Sequence, residues 1–367
     1  MNPLAQPMRR IGATRVLLGA RELEYFAGCD YLGLGWEPKL LAAVANAVLG
    51  EGVGVGASRR TTGNHPLYGE LERALQRFFG VRAALLTGTG YTANWVAAEA
   101  MAGRFSHVLM DERSHTSVQQ AAGVLGAKVQ RFRHRDPEDL ERVQRRLPAG
   151  SRIVLMTDGV FARDGSVAPL REYRKRLRPS SWLWVDDCHG VGVLGRRGRG
   201  SVEFEGVLAE RLIQTLTLSK AFGVQGGVIL GDADVIEAAM ERSPCFAGST
   251  PLALPLAAGA LVSVTQLVSD SERRERLMSH TKRVKVRLVS CGLLDVATPG
   301  PMFFVDASPR LAGRMKRHLL NQGILPPWIH YPGGPASGYF RFALCSEHTP
   351  QSVENLLEVL EAVGKPK

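Results

Sequence analysis

The chain has 367 residues, 45% of them hydrophobic and 22% charged, enough to bury a large core with one subsidiary domain. The longest apolar stretch, residues 252–267, contains Pro255 and several small residues and runs directly into charge, so it reads as a packed helix rather than a membrane span. Its net charge of +11 admits a nucleic-acid surface or a solvated basic face with an anionic small-molecule partner. The basic runs at 171–178 and 196–199 offer only the lone ring of Tyr173 for base stacking, which argues against nucleic acid.

In chain order, residues 1–40 read as an arm and a short hairpin, with edge strands at 15–18 and 23–26. Helix and strand then alternate from Pro38 to about Ile236. Apolar runs at 83–86, 107–110, 153–156, 183–185, 212–218 and 227–230 are the expected sheet strands. This predicts an α/β fold, a mostly parallel sheet with helices on both faces, over residues 41–255. A long helix from about Pro251 leads into a smaller α+β unit, residues 256–367. There, strands are expected at 303–305 and 339–344, and an amphipathic helix at 352–363. Cysteines at 29, 188, 245, 291 and 345 form no C-x-x-C pair, which argues against a zinc site and a disulfide framework and fits a reducing, cytoplasmic compartment. No metal site is expected.

Two features carry chemistry. The apolar run Trp182-Leu183-Trp184-Val185 ends in Asp186-Asp187-Cys188-His189, and charge at the carboxyl end of a buried parallel strand lies where an α/β sheet opens its ligand crevice. About thirty residues later comes Thr217-Leu218-Ser219-Lys220-Ala221-Phe222-Gly223. A strand-end carboxylate followed by a lysine among small residues suits pyridoxal phosphate: the amine forms a Schiff base with the aldehyde, and the carboxylate keeps the pyridine nitrogen protonated. Taken alone, Asp-Asp-x-His reads as a metal fragment or a loop ion pair, and for an isolated match the structural reading outweighs the functional one. Gly88-Thr89-Gly90-Tyr91-Thr92 follows a strand and opens a helix, so its free N–H groups would face a phosphate; in isolation it is also a plain strand-to-helix turn. The other glycine-rich stretch, at 52–58, reads as a flexible loop.

Further motifs lie in a fixed order along the chain: Cys29-Asp30-Tyr31-Leu32-Gly33-Leu34, Thr62-Gly63-Asn64-His65-Pro66-Leu67-Tyr68-Gly69-Glu70, Gly88 to Asn94, Asp111 to Ser117, Asp158 to Leu170, Gly248-Ser249-Thr250 and Arg341 to His348. With the Asp186 and Lys220 segments, the chain resembles the α-oxoamine synthase family of fold-type I pyridoxal-phosphate enzymes, which includes 8-amino-7-oxononanoate synthase and 2-amino-3-ketobutyrate CoA ligase. The resemblance implies an aspartate aminotransferase-like fold and a homodimer with its active site at the subunit interface. The reaction it implies is decarboxylative condensation of an amino acid with an acyl-CoA thioester to an α-aminoketone, the biotin-pathway reaction being the leading member.

Residue by residue, the resemblance implies that Lys220 is the Schiff-base lysine and general base, and that Asp186 partners the ring nitrogen. His115 would stack on the ring and His189 would meet its phenolic oxygen. Gly90, Tyr91 and Thr217 would hold the cofactor and its phosphate, and Thr250 would reach the phosphate in the neighbouring subunit. Arg341 would grip the substrate α-carboxylate. The chain departs from the family pattern at Cys29, where Asn is usual, and at Ala162, where Ser is usual, both near the substrate; Tyr68 replaces a common histidine and the 329–335 loop differs. Two other readings stay open: a diverged enzyme of this fold doing retro-aldol, decarboxylase or aminotransferase chemistry without a thioester, and a non-catalytic partner subunit.

Overall fold

A computed structural model describes residues 6–330 and 334–364. Its centre is a seven-stranded sheet, in spatial order Ala83–Thr87, Gly227–Gly231, Leu212–Thr217, Trp182–Asp186, Ile153–Asp158, His107–Asp111 and Lys128–Phe132. Neighbours pair in parallel except around Gly227–Gly231, which runs antiparallel to both strands beside it. Ile153–Asp158 and Leu212–Thr217 are buried along their whole length. Continuous burial of this kind is what helices on both faces of a parallel sheet produce, and it is why these strands read as unbroken apolar runs.

Strand register sets the chemistry. Asp158 and Asp186 are direct neighbours at the carboxyl ends of adjacent parallel strands, and Asp186 also pairs with Thr215 on its other side. Two carboxylates therefore emerge together at the rim where the crevice lies.

Two smaller antiparallel sheets complete the fold. One is formed by Arg9–Arg10, Arg15–Leu18 and Arg21–Glu24; in the other, Tyr339–Ala343 lies between Met302–Val305 and Trp328–Ile329. The amino-terminal hairpin rests on the carboxyl-terminal part of the chain: Val16 and Leu23 pack with Leu325, and Glu24 forms a bridge to Ile324. A single cluster of buried side chains extends from Phe26 to Leu360.

Several expected bounds shift. The second hairpin strand is Arg21–Glu24 rather than 23–26, because a two-residue turn at Gly19, with φ of 62°, starts it earlier. The strand Lys128–Phe132 was not expected, since it is an exposed edge whose first four residues carry no apolar alternation. The helix placed at about Pro251 starts at Leu254, ends at Ser269, and is followed by a separate helix, Glu272–Ser290. The last helix is Pro350–Gly364. No helix among the described residues is long and apolar enough to cross a membrane.

Candidate active site

Lys220, Asp186, His189, His115, Thr217, Gly90 and Tyr91 all line one cavity of about 250 Å³. They arrive from four places: the end of the strand Trp182–Asp186, the loop after Leu212–Thr217, the start of the helix Gly90–Met101, and the loop before Thr116–Val124. All of these are carboxyl ends of strands or amino ends of helices, so strand polarity alone converges them.

Asp186 is nearly buried, at 6% exposure. Its Oδ2 accepts from Asn94 Nδ2 at 2.6 Å and from Ser117 Oγ at 3.4 Å, and its Oδ1 accepts from the Cys188 backbone N–H at 3.1 Å. Asn94 is itself fixed, because its Oδ1 accepts from Trp184 Nε1 at 3.1 Å and Thr215 Oγ1 at 2.7 Å. The amide orientation is thus dictated by two donors, leaving its N–H groups for Asp186 and Ser117.

Lys220 Nζ lies 2.8 Å from His189 Nε2, and His189 Nδ1 lies 2.6 Å from the hydroxyl of Tyr31. Burial, reinforced by the nearby Lys220 and Arg341 charges, pushes His189 well below the ordinary imidazole range, so it is neutral. Burial pushes the Tyr31 phenol well above its usual range. Tyr31 therefore keeps its proton. With Lys220 as ammonium, Nε2 accepts and Nδ1–H donates to Tyr31; with a neutral amine the imidazole proton can sit on Nε2.

His115 caps the helix that follows it: its Nδ1 accepts from the Ser117 N–H at 3.2 Å and lies 2.8 Å from Ser117 Oγ. Burial lowers its pKa, opposed by Asp186. Its backbone N–H donates to Asp158 Oδ1 at 2.9 Å. Burial, and next the adjacent Asp186 carboxylate, hold Asp158 well above the usual carboxylate range.

At the opposite wall, Thr89 caps Gly90–Met101 in a reciprocal box with Thr92, and the N–H groups of Gly90 and Tyr91 precede any acceptor within the helix. A Cβ on Gly90 would stand 2.7 Å from Thr217 Cβ and 3.1 Å from Cys188 Sγ, so glycine alone lets this helix end close on the sheet. Thr217 Oγ1 donates to Gly226 O at 3.0 Å and lies 2.8 Å from Ser219 Oγ. Tyr91 sets its ring edge-on to His115 at 6.2 Å.

The remaining expected residues lie apart from that cavity. Cys29 is half-buried beside Tyr31, whose N–H donates to its carbonyl at 2.9 Å. Arg341 is half-buried on Tyr339–Ala343, opposite Phe304, and its charge is felt at both Tyr31 and His189. Ala162 lines an adjoining cavity of about 560 Å³ that shares His115 and Asp158 with the first. Thr250 is exposed and faces a separate cleft with Arg59, Thr87 and Gly88. Of the differing 329–335 loop, residues 331–333 lie outside the described residues. Tyr68 is fully buried and donates to Leu252 O at 2.6 Å, so the ring there is a structural tie. Among the described residues no cluster of His, Cys, Asp and Glu could hold a metal ion.

Asn94, Ser117, Asp158 and Tyr31 were given no role by the sequence. The readable signal was Asn94, a polar side chain at an apolar position between Ala93 and Val96 on a helix whose other inward residues are small and apolar.

The cavity suits pyridoxal phosphate. Three protein donors reach Asp186, leaving one of its about four lone-pair positions for a ring N–H. An amine, a neutral imidazole and an open helix amino end stand around the same space.

The family model for class I and II aminotransferases matches residues 29–360. A putative 8-amino-7-oxononanoate synthase of Desulforudis audaxviator is 34% identical, over 97% of this chain and 93% of its own length. The 8-amino-7-oxononanoate synthase of Thioalkalivibrio sulfidiphilus is 36% identical, over 94% of this chain and 89% of its own. The serine palmitoyltransferase of S. paucimobilis, solved with bound PLP and myriocin, superimposes with a TM-score of 0.92 at 27% identity, covering 99% of this chain and 93% of that one. With a family match across most of its length and relatives above 30% identity over nearly all of it, the chain belongs to the class I and II aminotransferase family of fold-type I pyridoxal-phosphate enzymes, in its α-oxoamine synthase branch.

Proposed function

We propose that this chain is a pyridoxal-phosphate-dependent acyltransferase that condenses an amino acid with an acyl-CoA thioester, releasing coenzyme A and carbon dioxide and giving an α-aminoketone, as the name 8-amino-7-oxononanoate synthase denotes for its relatives. The observation that carries this is the 2.8 Å approach of Lys220 Nζ to His189 Nε2 in the cavity that Asp186 closes.

When bound, pyridoxal phosphate supplies a sink for the electron pair left on the amino acid's α-carbon. The rest falls to side chains. Asp186 presents a carboxylate fixed by Asn94 toward the ring nitrogen, where a preorganised charge needs no rearrangement as the reaction proceeds. Gly90 and Tyr91 offer N–H groups, and Ser219 a hydroxyl, to the phosphate at the helix end, beside Thr217, whose hydroxyl proton is held by Gly226 O. His115, on the wall of the same cavity, would cover one face of the ring. Lys220 Nζ would anchor the cofactor and serve as the base for the α-proton; His189 holds that amine in place and is held in turn by Tyr31. The Arg341 guanidinium fork binds the α-carboxylate, with Cys29 and Ala162 bordering the substrate. The 560 Å³ cavity beside His115 and Asp158 gives the acyl thioester a place to approach. Thr250, exposed in the single chain, completes the phosphate site of a second subunit in a homodimer, and a cytoplasmic enzyme fits the absence of a spanning helix among the described residues.

The test is direct. Purified protein with pyridoxal phosphate should show a visible absorbance band, fix label on Lys220 after borohydride, and release thiol from an acyl-CoA only when an amino acid is present. Labelling retained in Lys220→Ala, or amino-acid turnover with no thiol release from any acyl-CoA, would overturn the assignment.

A further inference from the structure

Away from the cofactor cavity, a second hollow of about 660 Å³ opens between the helices Pro66–Phe79, Leu254–Ser269 and Glu272–Ser290 and the loop at 195–200. Five arginines line it: Arg77, Arg196, Arg197, Arg199 and Arg274. No carboxylate does. None of the five takes part in an ion pair among the described residues.

The nearest acid, Glu203, does not neutralise them. Its carboxylate is occupied by the backbone N–H groups of Arg197 and Arg199, at 3.0–3.2 Å. The loop amides thus take the negative charge and leave the guanidinium groups to face the hollow. Arg274 is 9% exposed; its Nη2 donates to Arg196 O at 2.9 Å, but its Nη1 is buried with no acceptor, and so is Arg199 Nε. A buried guanidinium N–H without an acceptor is strongly unfavourable, and an anion entering the hollow would satisfy it. The floor, in contrast, is apolar: Phe78, Val264, Leu267 and Val268. Val268 is 68% exposed, a large aliphatic side chain left facing water beside five positive charges.

A rim of forked donors over a hydrophobic floor is a recognisable combination. Guanidinium forks match phosphate oxygens in pairs, and an apolar floor accepts a flat or aliphatic body. We propose that this hollow binds a phosphorylated small molecule with an apolar body, of the adenosine polyphosphate kind, at a site separate from the Lys220 cavity. The less exposed Arg199 and Arg274 hold the phosphate at the wall of the hollow, and the exposed Arg77, Arg196 and Arg197 close over it. The same chemistry occurs in a free nucleotide and in the nucleotide end of coenzyme A, and competition distinguishes the two.

The probe is fluorescent N-methylanthraniloyl-ADP titrated into the holoenzyme, with its pyridoxal phosphate in place so that the Lys220 cavity is not a competing phosphate site. Saturable binding is expected, weakening steeply with salt because several charges are neutralised. Arg77→Glu with Arg197→Glu, both exposed, should weaken it at least tenfold while leaving the visible absorbance of the cofactor unchanged. Inorganic pyrophosphate should displace the probe more weakly than ADP, since it leaves the floor uncovered. Displacement by coenzyme A at a concentration at least tenfold below that of ADP would assign the thioester's nucleotide, and displacement by ADP at least as effective as by coenzyme A a free nucleotide. No saturable binding, binding indifferent to the charge reversal, or a reversal that changes only the sedimentation of the protein would overturn the proposal. None of these readouts requires acyl transfer, so the site can fail while the acyltransferase reading stands.

Discussion

Asn94 Nδ2 donates to Asp186 Oδ2 at 2.6 Å, and Asn94 can point that nitrogen nowhere else, because its oxygen is held by both Trp184 and Thr215. The active-site carboxylate is therefore oriented from the helix behind it. Asn94→Leu should orphan two buried donors at about 1–3 kcal/mol each and let Asp186 rotate. A lowered melting temperature together with weaker pyridoxal-phosphate binding is expected. Asn94→Asp should be worse for the cofactor, since it sets a second negative charge against Asp186. If Asn94→Leu binds the cofactor as tightly as the parent protein, the orienting role is lost.

Replacing Asp186 itself by Asn keeps the shape but removes the charge. The replacement amide can still accept from Asn94, so folding should survive. Turnover should fall by on the order of 10²-fold or more, the scale of removing one preorganised electrostatic contact. Circular dichroism unchanged alongside that loss is the expected pair of results; near-parental turnover would mean that the carboxylate does not face the ring nitrogen.

How much of this was legible in advance follows from which signals are local. Asp186 stood out because it ends a buried apolar run, and Lys220 because it lies among small residues about thirty positions later; the structure brings them to one cavity. The strand Lys128–Phe132 was illegible because an exposed edge buries almost nothing and so has no reason to alternate. The pairing of Asp158 with Asp186 depends on register between strands twenty-eight positions apart, which no local pattern encodes. The arginine hollow gathers residues from positions 77, 196–199 and 274, and in sequence the 196–199 run looked like dispersed surface charge.

The substrate pocket makes its own prediction. Cys29 sits beside Tyr31 and Ala162 borders the second cavity, while Arg341 stands close enough to shift Tyr31 and His189. Cys29→Asn with Ala162→Ser should add hydrogen bonds of about 1 kcal/mol each and tighten glycine or alanine binding several-fold. Arg341→Lys should weaken binding, because a point charge cannot reproduce a planar fork. Amino-acid dissociation constants read from the cofactor spectrum decide it. Unchanged affinity in both variants would place the substrate carboxylate elsewhere.

His348 offers a prediction about stability rather than turnover. Its ring stacks on Phe26 at 3.9 Å and its Nδ1 accepts from the Cys345 N–H at 2.9 Å. Burial, opposed by backbone hydrogen bonding and aided by the nearby His280 charge, lowers its pKa to about 3. The unfolded chain, with an ordinary imidazole near 6.5, binds the proton over the interval in which the folded chain refuses it. Stability therefore rises with pH between about 3 and 6.5, and acidification through that window should remove on the order of a few kcal/mol through this one group. His348→Gln keeps an acceptor for the Cys345 N–H but cannot titrate. It should be less stable than the parent at pH 7, where it loses the stacked ring, yet its urea midpoint should change less between pH 6.5 and pH 4.5. Parallel midpoint curves for the two proteins over that range would show that His348 is protonated as easily in the fold as outside it.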